Sequence, residues 1–161
     1  MDFYKYSSIE NSYRDKYMEQ VAKDVRADAI WVVEEKCHGA NFSIWYDGEK
    51  FMCAKRTSFL KDDDKFNNHM QVLEDNREKI LSIWEFVNKD SSASQLVIYG
   101  ELMGGKYNHP DVPKNTSAKK IQGEIQYTPE NMFYAFDIVV DGTILDVEVK
   151  NRLFETATML Y

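Results

Sequence analysis

The chain has 161 residues, 43% of them hydrophobic and 14% aromatic, enough to bury about two thirds of the unfolded surface around one core. No apolar run approaches the roughly 20 residues of a bilayer span, and Met1 to Lys16 is too polar for a secretory signal, so a soluble, intracellular and most simply cytoplasmic protein is expected. The formal net charge of -7 repels nucleic acid on average, and the two cysteines, Cys37 and Cys53, exclude a disulfide scaffold and lack the paired spacing of a zinc site.

Tyr13, Tyr17 and Val21 recur at helical spacing, which predicts a first helix over Ser12 to Val25 with Asn11 and Ser12 as capping residues. The run Ala29-Ile30-Trp31-Val32-Val33 ends in Glu34-Glu35-Lys36, the pattern of a buried strand that surfaces at a polar edge. Asp47-Gly48 between Phe42–Tyr46 and Phe51–Lys55 predicts an antiparallel hairpin. From Asn67 to Asn88, Leu73, Ile80, Trp84 and Val87 share one face of a helix packed on a sheet. Strands are expected at Gln95–Glu101 and Met132–Val140, separated by a long loop with Gly104-Gly105, Pro110 and Pro113 that has room for a short strand near Gly123 to Tyr127. Asp141-Gly142 makes a second hairpin turn, and Val149 to Leu160 is helical in pattern. Its apolar residues Phe154, Met159, Leu160 and Tyr161 fit either a chain cut short or a helix docked on the core.

One segment combines chemically useful residues: Glu35-Lys36-Cys37-His38-Gly39-Ala40-Asn41 puts a lysine at an expected strand end, three residues before a glycine that lets backbone approach a ligand. Alone, such a lysine is usually a solvated charge. Together with four other blocks in order it resembles the RNA ligase 2 family of nucleotidyltransferases over nearly the whole chain. Those blocks are Lys5 to Asn11, Cys53-Ala54-Lys55-Arg56-Thr57, Tyr99-Gly100-Glu101-Leu102 and Phe133 to Ile138. The stretch Gly104-Gly105-Lys106-Tyr107 and the insertion after it are closer to the RNA-editing branch.

The resemblance implies an α+β fold, the antiparallel-sheet, ATP-grasp-like nucleotidyltransferase core of DNA and RNA ligases with packed helices, of which residues 1–161 form the N-terminal part. It implies ATP-dependent RNA joining with Mg²⁺ or Mn²⁺: Lys36 attacks the α-phosphorus of ATP and becomes lysyl-AMP, AMP passes to an RNA 5′-phosphate, and a 3′-hydroxyl displaces it. Such activity would serve RNA repair or editing. A free lysine amine titrates near 10.4, and its neutral form is the nucleophile, so such a site has to favour that form by desolvation or neighbouring positive charge, with Lys55, Arg56 and metal-bound ATP as sources. Carried over residue by residue, Glu35 and the Cys37 backbone contact adenine, and Asn41, Arg56 and Glu101 orient the ribose and phosphates. Phe136 stacks on the base, Asp137 supports a metal or the lysine, and His38 with Gly39 completes the motif. His38 stands where many DNA ligases carry Asp.

Each residue also has an ordinary use. Phe136 fits a strand core, Asp137 a turn cap, Glu101 a solvated strand end, His38 a hydrogen-bonding site, and both cysteines fit packing. His69 and His109 have no partner at metal-ligand spacing. Lys106, Lys114, Lys119 and Lys120, with Tyr107 and His109, form a loop combination able to meet RNA phosphates and a base, although an exposed loop needs no such role. The family's later Glu-Gly-Val-Val-like and Lys-x-Lys-like strands do not occur in these residues. A catalytically incomplete nucleotide- or RNA-binding piece, and a DNA ligase or capping-type relative, therefore stand as alternatives.

Overall fold

The computed structural model describes residues 1–26, 28–89 and 91–161. The Asp47-Gly48 signal forms its hairpin: β1 (Ala40–Tyr46) pairs antiparallel with β2 (Phe51–Lys55), from Tyr46 opposite Phe51 to Phe42 opposite Lys55. Gly48 adopts φ +90° and the Asp47 carboxylate accepts from the Glu49 and Lys50 N–H groups, closing the turn in the way that favours this dipeptide. Arg56-Thr57 turns the chain into the short β3 (Ser58–Phe59).

Apolar residues recurring at the 3.6-residue helical period yield α2 (His69–Asn88), which buries Val72, Leu73, Ile80 and Ile83, with Trp84 and Val87 partly covered. The central strand β4 (Leu96–Gly104) pairs with β1 on one side and with β5 (Asn131–Val140) on the other. Asp141-Gly142, with φ of +47° and +80°, links β5 to β6 (Thr143–Ile144), and α3 (Val147–Thr156) follows. Its N-cap Asp146 accepts from the Glu148 N–H, satisfying one orphan donor of the first turn.

Every ladder is antiparallel, and the strand order is β3-β2-β1-β4-β5-β6. Alternation sends Phe42, Ile44 and Tyr46 of β1, Leu96, Ile98 and Leu102 of β4, and Phe133, Ala135 and Ile138 of β5 into one core with α2 and α3. The reverse face is covered in part by the N-terminus. Trp45, fully buried, meets the rings of Phe3, Tyr4, Phe59 and Tyr99 edge-on or tilted, and its Nε1 donates to Ser43 Oγ at 2.8 Å. An α+β antiparallel core with packed helices is thus what forms.

The described chain divides into two compact units, one of Met1–Lys5 with Cys37–Tyr161 and one of Tyr6–Lys36. The second holds α1 (Asp15–Asp24), none of whose residues is buried. Its expected caps are not used: the Asn11 carbonyl accepts from Arg14 N–H in a preceding turn, and Arg14 is the N-cap without a side-chain bond. The strand expected at Ala29–Val33 is also not formed. Ile30 and Val33 are 95% and 92% exposed in irregular backbone, because a strand exists only with a neighbour to pair its backbone, and these residues join no ladder of the sheet. No strand forms at 123–127, which stays loop. The last segment docks on the core: Phe154 is 0% and Met159 5% exposed, and the Ala135 N–H donates to the Leu160 carbonyl at 2.8 Å.

Candidate active site

In the larger unit, register brings several candidate residues to the sheet face opposite α2. Asn41 on β1 lies directly across from Glu101 on β4, and Glu101 lies across from Tyr134 on β5. Directly opposed residues hold their Cβ atoms about 4.5–5.5 Å apart, so the amide and the carboxylate stand side by side on that face. Neither is solvent-flooded; both are half-buried.

Phe136 and Asp137 reach this region by an irregularity that alternation does not foresee. β4 and β5 shift register between Tyr99 and Gly100: Gly100 opposes Ala135, Tyr99 opposes Asp137, and Phe136 is the extra residue of a β-bulge. A bulge bends its strand and re-aims side chains. Gly100 is required beside it, since a Cβ there would overlap the Phe133 ring and the Tyr134 carbonyl oxygen. Burial, then Tyr4, pushes the Tyr99 phenol well up, which keeps it a neutral neighbour to Asp137.

The Asp137 carboxylate lies 3.5 Å from the Lys150 ammonium, which also donates to the Phe136 carbonyl at 2.5 Å. Lys150 is 5% exposed. The sequence reading missed it, although it left a signal: Val147, Lys150, Leu153, Phe154 and Ala157 fall on one stripe of α3, and a lysine inside an apolar stripe calls for a partner.

Cys37, His38 and Gly39 enter β1 under two contacts from the long loop, also missed. The His38 N–H donates to the Tyr127 hydroxyl at 3.0 Å, and Gln122 Nε2 donates to the Gly39 carbonyl at 2.8 Å. Gly39 runs so close to β4 that a Cβ would overlap the Leu102 carbonyl oxygen. Cys37 is buried and the His38 side chain is exposed.

Two further candidates of the larger unit lie on β2 and in the turn after it. Lys55 opposes Phe42 and therefore leaves the sheet on the helix side, while Arg56 sits exposed in the β2–β3 turn. Glu35 and Lys36 belong to the smaller unit and are exposed, Lys36 at the end of irregular backbone rather than of a buried strand. Cys53 is a packing residue: burial pushes its thiol up to about 12, with Asp62 adding to the rise. Among the described residues no three His, Cys, Asp or Glu side chains are grouped to hold a metal ion. Magnesium asks for less, since one or two carboxylates and the nucleotide's phosphates suffice. Glu101 and Asp137 fit that donor set, and a half-buried ring at Phe136 fits a flat base.

A sequence model of the family described as RNA ligase matches residues 29–161. The chain is 32% identical over 152 residues to RNA-editing ligase 2, mitochondrial, of Trypanosoma brucei brucei, covering 84% of this chain and 36% of that protein. It is 31% identical over 159 residues to RNA-editing ligase 1, mitochondrial, of the same organism, covering 85% and 34%. It thus spans about a third of the length of these curated relatives. Among solved structures, an RNA ligase mutant of Naegleria gruberi with ATP and Mn matches with a TM-score of 0.53 at 18% identity, over 76% of this chain and 30% of that one, a likeness of fold. The two trypanosome names place those proteins in mitochondria, which lends no support to the cytoplasmic expectation. No helix among the described residues is long and apolar enough to cross a membrane.

Proposed function

Since the chain belongs to the RNA ligase family, we propose that it is the nucleotide-binding part of an ATP-dependent RNA ligase that works through lysyl-AMP at Lys36. The observation that carries this reading is the convergence on one sheet face of Asn41, which ends the Lys36 motif, with Glu101 and the Phe136–Asp137 bulge.

In this reading Phe136 stacks on adenine, Glu35 and the Cys37 backbone contact its edge, and Asn41, Glu101 and Arg56 orient ribose and phosphates. The Lys36 amine attacks the α-phosphorus, a P–N bond forms, and the P–O bond to pyrophosphate breaks. An RNA 5′-phosphate oxygen then displaces the lysine, and a 3′-hydroxyl oxygen displaces AMP to form the phosphodiester. Mg²⁺ or Mn²⁺, when bound, offsets the phosphate charge. The chain's own task is orientation, which contributes strongly to such transfers. Lys106, Lys114, Lys119 and Lys120 in the loop after β4 supply local positive charge for RNA despite the net charge of -7.

The test compares sealing of a nicked RNA, sealing of a nicked DNA and transfer of GMP by the complete polypeptide under one set of conditions. RNA sealing with ATP is expected to dominate. Preferred DNA sealing or GMP transfer would replace the reading. A second reading, nucleotide binding without turnover by these 161 residues alone, is favoured by the lack of a Glu-Gly-Val-Val-like and a Lys-x-Lys-like strand in them. Turnover by this chain alone would reject it.

A further inference from the structure

A β-bulge leaves backbone groups without ladder partners, and in β5 the difficulty falls on its outer edge. β6 pairs only with Val139 and Val140, so residues before them need other partners for outward N–H and C=O groups. The segment from α3 onward supplies them. Leu160 accepts from the Ala135 N–H, and the Lys150 ammonium donates to the Phe136 carbonyl while standing 3.5 Å from the Asp137 carboxylate.

We propose that Lys150 is a positioning residue: its buried ammonium anchors the Phe136–Asp137 bulge and so fixes the base-stacking ring and the neighbouring carboxylate in the nucleotide site. The functional half of this assignment rests on the adenylylation reading above; the anchoring half does not. An ammonium removed from water is costly unless charge and hydrogen bonds compensate it. Two of its compensating partners belong to the bulge, so α3 delivers a charge there as well as an aliphatic stem. A neutral residue of equal length would preserve the apolar stripe of α3 yet leave the Phe136 carbonyl and the Asp137 carboxylate without that donor.

The variants are Lys150→Met, which keeps length and apolar packing, and Lys150→Arg, which keeps the charge. Hydrogen exchange on this chain reads the anchor directly. Lys150→Met is expected to speed exchange at Phe136 to Ile138 at least tenfold with α2 unchanged, and Lys150→Arg to stay within about threefold of wild type. In the complete polypeptide, Lys150→Met is expected to raise KM for ATP about tenfold while the maximal rate of lysyl-AMP formation changes less than threefold, with rescue by Lys150→Arg. Unchanged exchange at the bulge, or a proportional loss of rate and stability without rescue by arginine, overturns the proposal. Should Lys150→Met not fold, Lys150→Gln gives the same uncharged comparison. Absence of any adenylylation in the wild-type polypeptide refutes the ligase reading and not the anchor, which stands or falls on exchange.

Discussion

Replacing Gly39 by alanine tests whether the motif segment depends on its close passage over β4. The added Cβ would overlap the Leu102 carbonyl oxygen, lie 3.0 Å from the Leu102 carbonyl carbon and 3.3 Å from Glu101 Cβ. Leu102 is fully buried in a strand paired on both sides, so it cannot retreat; residue 39 has to. Relief requires a shift of about 1 Å, and a misplacement of that size costs on the order of 100-fold in a step governed by orientation. Overpacking of this kind lowers stability by about 1–3 kcal/mol. The assay is the single-turnover rate of lysyl-AMP formation by the complete polypeptide, alongside urea unfolding. Gly123→Ala is the control, since its Cβ would meet only Lys120 Nζ at 3.7 Å. A Gly39→Ala protein that adenylylates within threefold of wild type would refute the reasoning.

Asp141 Oδ1 accepts from Ser94 Oγ, Ser94 N–H and Gln95 N–H, and these bonds, the Ser94 hydroxyl foremost, hold its carboxyl below the usual range. A depressed folded value contributes stability that is present above the unfolded value of about 3.9 and lost as pH falls through the folded one. Asp141→Asn is therefore expected to remove the share of that acid-window stability change that Asp141 contributes, leaving a shallower profile in urea unfolding from pH 6 downward; a variant with the wild-type profile would contradict this. Asp141→Ala loses the acceptor and puts a Cβ residue without a polar group at φ +47°, and is expected to cost about 1–2 kcal/mol. Trp45→Ala empties a site with no exposure and is expected to cost about 3–5 kcal/mol by denaturant unfolding, with faster amide exchange over Met1–Lys5. Cys53, its thiol held up near about 12, is expected to resist a thiol reagent at pH 8 until the protein is unfolded; rapid native labelling would reject that environment.

Much of the scaffold was legible because its signals are local. Asp47-Gly48 and Asp141-Gly142 announce their turns, and the stripe of Leu73, Ile80, Trp84 and Val87 announces α2. The run at Ala29–Val33 shows where composition misleads: an apolar string states a wish to be buried but not which ladder will accept it, and none here does. The site was legible by motif and less so by geometry. Asn41 and Glu101 follow from register once β1 and β4 are paired. The bulge that re-aims Phe136 and Asp137 lies where Gly100 makes room across the strand, a long-range fact. Gln122 and Tyr127 act from a loop more than 80 residues from Gly39 and His38 in sequence, beyond any periodicity argument.

The most direct test of lysyl-AMP chemistry is intact-mass and peptide analysis of the complete polypeptide after incubation with ATP and Mg²⁺. A single AMP adduct on Lys36, removed by added pyrophosphate and absent from Lys36→Ala, is the predicted result. Equal labelling of Lys36→Ala, or an adduct on another residue, would contradict it.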